Sequence, residues 1–141
     1  MATKADFTEE EWKTLQKGLT GAGMLVSVSD ADFTDSFGEA STLAKTLATK
    51  SEQTDDPFVR ELAHVRGTGF GVTASRNEVE TETRAALSAS IGILNTKAPD
   101  ELGAYRELVL AVANAVAQAK SGVKEAETAA IAAVQDALGG A

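Results

Sequence analysis

The chain has 141 residues, with 13 Lys and Arg against 21 Asp and Glu, one His, no Cys and a net charge of −8. That length suits one domain burying roughly 68% of its unfolded surface, and the lack of Cys excludes a disulfide scaffold and a Cys-ligated zinc site. The acidic balance argues against a general nucleic-acid partner, which needs a positive field to displace phosphate counterions.

Met1 to Trp12 lack the apolar stretch of a signal peptide, and no apolar run approaches the ~18 residues of a membrane span. A cytoplasmic protein with no membrane contact is therefore expected. The first helix is predicted over 8–27. Thr8 and Glu11 have capping-box spacing, Phe7 and Trp12 fit a hydrophobic staple, and Trp12, Leu15, Leu19, Ala22 and Val26 share one face. Gly18, Gly21 and Gly23 each cost about 1 kcal/mol relative to Ala inside it. They allow either a kink or close approach of a neighbouring helix, and close packing is the expectation.

An acidic connector, Ser29-Asp30-Ala31-Asp32, leads to a second helix over 33–50, with Phe33, Phe37, Ala40, Ala44 and Leu47 on its buried side. Asp56-Pro57 supplies an N-cap and a first-position proline for a short third helix over 57–66, carrying Phe58, Leu62 and Val65. Gly67-Thr68-Gly69-Phe70-Gly71 stops it. Ser75 and Glu78 open a fourth helix over 75–96, buried through Val79, Leu87, Ile91 and Leu94. Pro99 opens a fifth over 99–120, where Leu102, Tyr105, Val109, Val112, Val116 and Ala119 step by three and four. A sixth, over 124–138, buries Ile131, Val134 and Leu138. No segment alternates convincingly with period two; a short strand over Phe70 to Thr73 would lack an obvious partner. The expected fold is all-α, a single-domain bundle of about six helices spanning 1–141.

Charge is uneven along this plan. Residues 1–56 carry 5 basic and 11 acidic groups, a balance of −6, whereas 57–96 balance at 4 and 4. Asp30, Asp32 and Asp35, with Glu39 one turn further on, offer the oxygen donors that calcium or magnesium prefer. Their spacing does not make an EF-hand. With Asp30 at position one, the glycine position holds Asp35 and the final bidentate position holds Ser41. The same carboxylates also serve to cap the second helix and complement its dipole.

Glu61-Leu62-Ala63-His64 has the Glu-x-x-His spacing of carboxylate-iron bundles. With one His per chain, only a symmetric dimer completes such a site, with Glu39 or Glu78 as the bridging candidate. A surface or half-buried His without a ligand is the alternative. The Gly67–Gly71 run could cradle a phosphate, but no strand precedes it and Glu78, Glu80 and Glu82 follow, so a helix stop and connector fits better. Arg60, Arg66, Arg76 and Arg84 surround it, able to meet an anionic partner or to pair with nearby carboxylates. Nothing supports nucleophilic catalysis: there is no Cys, and the lone His has no identifiable Ser/Asp context.

Two helical hairpins echo one another. In each, a small-residue helix runs through a polar break into a helix with Glu four residues before a large aliphatic, Glu39 before Leu43 and Glu127 before Ile131. Tyr105 to Ala119, followed by Lys120-Ser121-Gly122-Val123-Lys124-Glu125-Ala126-Glu127, resembles the TerB-like family of small all-helical bacterial proteins named for tellurite resistance. The first hairpin, with Asp30 or Asp32 and Glu39, looks like the matching half. The family's Ala-Asp-Gly turn stands here as Ala119-Lys120-Ser121-Gly122, and its Ser-x-x-Glu cap as Lys124-x-x-Glu127. The resemblance therefore carries metal association over to Asp30, Asp32 and Glu39 alone. It implies a non-enzymatic, stress-associated module with no cofactor beyond a weakly bound divalent cation. The alternatives are a metal-free homodimer or structural protein, joined through the Gly18/Gly21/Gly23 face, and a dimeric di-iron carboxylate protein.

Overall fold

Local chemistry sets the helix starts. In the computed structural model, which describes residues 3–28, 36–64, 76–118 and 125–139, the Thr8 N–H donates to Glu11 Oε1 at 2.8 Å and the Glu11 N–H to Thr8 Oγ1 at 3.1 Å. This reciprocal cap opens α1, Glu9–Val28. The Phe7 ring packs 5.7 Å from Trp12 and 5.8 Å from Phe58, closing the staple. Just upstream, a 3₁₀ turn over Lys4–Asp6 is held by the Thr3 N–H on Asp6 Oδ2 at 2.8 Å.

The remaining helices are α2 Ser36–Gln53, α3 Pro57–Leu62, α4 Arg76–Lys97, α5 Leu102–Gln118 and α6 Glu125–Ala137. Asp56 caps α3 by accepting the Phe58 N–H at 2.9 Å. That helix ends four residues earlier than its sequence suggests. The His64 N–H tightens onto the Glu61 carbonyl at 3.2 Å, a 3₁₀-type closure. The fifth helix likewise begins late. Pro99–Glu101 form a 3₁₀ turn, with the Glu101 N–H on the Ala98 carbonyl, before α5 starts at Leu102. Gly139, at φ 102°, follows α6 in the left-handed conformation that suits glycine.

The described residues are helical with no strand, an all-α bundle around one hydrophobic core. The strand considered over Phe70 to Thr73 lies outside them. No described helix is long and apolar enough to cross a membrane. Of the predicted stripes, Trp12, Leu15, Leu19, Ala22 and Val26 on α1 and Tyr105, Val109, Val112 and Val116 on α5 are buried, whereas Ile91, Leu102 and Ile131 are partly buried against the core.

α1 is the central element and touches all five other helices, α4 most extensively and then α5. The heaviest packing is thus α1 on α4, and the two echoing hairpins meet chiefly through α1 and α5. Residues 18–23 of α1 are buried throughout, as expected of a helix covered on every side. The glycines make this possible. A Cβ on Gly18 would stand 2.6 Å from the Tyr105 hydroxyl and 3.0 Å from Leu87, and one on Gly21 would overlap the Thr83 hydroxyl. Close helix approach is confirmed, but it is intramolecular. α4 and α5 of the same chain already fill the side of Gly18 and Gly21, so a second copy cannot dock there while the bundle is intact.

A polar knot sits at this crossing. The fully buried Tyr105 hydroxyl donates to the Leu15 carbonyl at 2.7 Å, and Ser90 Oγ lies 3.3 Å from it while donating to Ala86. Burial pushes the Tyr105 phenol upward, so it stays protonated. On the surface, Lys17 pairs with Glu82 at 2.9 Å and Lys97 with Glu11, clasping α1 to α4. Lys97's hydrogen bond is the main reason Glu11 titrates below the ordinary carboxylate range.

Candidate functional site

The acidic connector falls between α1 and α2. α1 stops at Val28 and α2 starts at Ser36, so Asp30, Asp32 and Asp35 belong to the intervening segment, outside the described residues. Glu39 lies on the first turn of α2, its side chain likewise outside the description. Among the described residues, no three His, Asp or Glu side chains gather as a metal-holding group. The Gly67–Gly71 run and Arg66 are also outside the description, as is the side chain of Arg76.

The Glu-x-x-His motif is described in full, and neither of its side chains is buried in the bundle. Glu61 sits at the end of α3 and His64 just past it, both exposed. In carboxylate-iron bundles these groups project inward. Here the Glu61 carboxylate faces the N-terminal turn and accepts the Lys4 backbone N–H at 3.0 Å. The contact ties the start of the chain to α3, and the Phe7–Phe58 ring pair reinforces it.

This junction frames a surface depression of about 370 Å³ walled by Lys4, Trp12, Gln16, Arg60, Glu61 and His64. Two of these side chains are anchored from behind. Arg60 donates through Nη2 to the Thr54 carbonyl at 2.8 Å, and Gln16 through Nε2 to the Leu62 carbonyl at 3.4 Å. Trp12 is 4% exposed, and its indole N–H has no acceptor among the described residues. It is also not one of the fully enclosed unpaired groups, so the small accessible part of the ring includes the donor.

A second open groove, of about 430 Å³, runs between the end of α2, the start of α3 and α5. Val59, Ala104, Leu108 and Ala111 supply its apolar lining, with Lys50, Asp56 and Glu107 at its polar positions. Asp56 is already committed to the α3 cap. Arg84 is spent on carboxylates, 3.4 Å from Glu80 and 3.7 Å from Asp136.

Sequence reasoning missed the grouping of Lys4 and Trp12 with Glu61. Their contact spans 57 positions, and the one local sign of it was the aromatic staple at Phe7 and Trp12. No family model, no curated protein and no solved structure matches this chain.

Proposed function

We propose that the chain is a non-enzymatic helical interaction module of the TerB-like type, which associates weakly with a divalent cation at the connector between α1 and α2. The observation that supports this is the position of the helix ends. With α1 closing at Val28 and α2 opening at Ser36, Asp30, Asp32 and Asp35 share one seven-residue connection, and Glu39 follows on the first turn of α2. These are hard oxygen donors of the kind calcium, magnesium and manganese take. A bound cation would offset repulsion in a region carrying −6 of the chain's −8.

A metal-free, homo-oligomeric interaction or structural protein is the second reading, favoured by the open groove along α5 with its apolar lining of Val59, Ala104, Leu108 and Ala111. One experiment separates the two. Calcium, magnesium and manganese chlorides are titrated against thermal unfolding, beside sodium chloride at matched ionic strength. The cation reading expects a saturating rise in Tm with at least one divalent ion, abolished in the Asp30→Asn/Asp32→Asn variant. A Tm that follows ionic strength alone removes the cation and leaves the metal-free module.

A further inference from the structure

We propose that the depression between the N-terminal turn and α3 is a binding site for a small oxyanion, a carboxylate or a phosphate group, received by Lys4, Arg60, His64 and the Trp12 indole N–H. The lining is rich in donors. Lys4, Arg60 and Trp12 offer N–H groups and accept nothing, while His64 presents a ring nitrogen that donates in either protonation state. The one carboxylate, Glu61, is directed at the Lys4 backbone N–H. The balance at the site, Lys4 and Arg60 against Glu61, is therefore positive before His64 is counted. On a chain of −8 this is a local reversal of sign.

Two features distinguish the depression from a chance patch of surface lysines. Arg60 is held by the Thr54 carbonyl, which leaves the rest of its planar guanidinium to meet two oxygens at once. The Trp12 indole N–H is the second. This side chain is 96% buried and lines the depression, and its N–H, without an acceptor among the described residues, belongs to the small part that stays accessible. An anion oxygen there would satisfy it. At about 370 Å³ the space falls at the small end of ligand pockets, which suits a compact anion and not a cofactor. This site is separate from the acidic connector and does not depend on it.

Trp12 is the only tryptophan, so its fluorescence reports on the site directly. The full chain is titrated with sodium phosphate and with sodium succinate, each against sodium chloride of equal ionic strength. A saturable change in Trp12 emission is expected with one or both, and whichever saturates identifies the oxyanion. Arg60→Gln or His64→Gln should weaken it by about tenfold, the loss of one charge-assisted contact. Lys13→Gln, exposed and outside the lining of the depression, should leave it unchanged. His64 lies beyond the end of α3 and is exposed, so its variant is expected to fold even if Arg60→Gln disturbs the Thr54 contact. A response that follows ionic strength alone overturns the proposal. So does a saturable response that neither substitution alters, or one that Lys13→Gln weakens equally.

Discussion

The Tyr105 hydroxyl is fully buried and joins α5 to the α1 backbone at Leu15. Replacing it with Phe keeps the ring in place and removes that bond, so the expected loss is about 1 kcal/mol. The same group makes stability depend on alkaline pH. Burial raises its folded-state pKa above the ordinary value of 10.0. In the unfolded chain it ionises near that value, so above pH 10 the unfolded state gives up a proton that the folded state retains. The contribution is thus complete below pH 10 and lost as pH climbs past it. Thermal unfolding from pH 8 to 11 should show the wild type falling more steeply than Tyr105→Phe above pH 10. Lysine titration acts on both proteins and cancels in the comparison. Parallel curves would mean that the phenol is not protected as its burial requires.

At the scale of the helix, glycine has two opposite meanings in this chain. Gly18 lies where α1, α4 and α5 cross, and a Cβ there would press on Tyr105 and Leu87. Gly92 is exposed on α4, with nothing within 4 Å of its would-be Cβ. Gly92→Ala should therefore stabilise by about 1 kcal/mol through helix propensity alone. Gly18→Ala gains the same propensity but must displace packed neighbours, and overpacking costs about 1–3 kcal/mol. Its Tm should fall while that of Gly92→Ala rises. Equal shifts would show that α4 and α5 yield freely at this crossing. The glycines also mark how far the sequence could be read. Their presence in an amphipathic stretch announced close packing, because the cost of helical glycine is local. The identity of the partner was not legible, since Thr83 and Tyr105 stand 62 and 87 positions from Gly21 and Gly18. Likewise the Thr8–Glu11 and Asp56 caps could be read within a few residues, whereas the grouping of Trp12, Glu61 and His64 depends on α3 folding back onto the start of α1.

For the whole molecule, the central position of α1 decides how the fold should come apart. Every other helix packs on it, and the clasps that bind it to α4, Lys17–Glu82 and Lys97–Glu11, are partly exposed pairs of the kind worth about 0–1 kcal/mol. Cohesion therefore comes from shared apolar burial, which is lost together when α1 is uncovered. Urea unfolding should follow one transition, with Trp12 fluorescence and helical circular dichroism giving the same midpoint. The demanding case is α6, which brings Val134 into the core and is followed at once by the buried Leu138, whose carbonyl accepts from Arg106 at 3.0 Å. Leu138→Ala removes a 3%-exposed side chain from the far end of the sequence, at an expected cost of about 2–5 kcal/mol. If α1 couples the bundle, both probes shift together, even though Trp12 sits near the opposite terminus. If α6 is only docked onto a core that stands without it, the dichroism signal separates first and the Trp12 midpoint stays where it was.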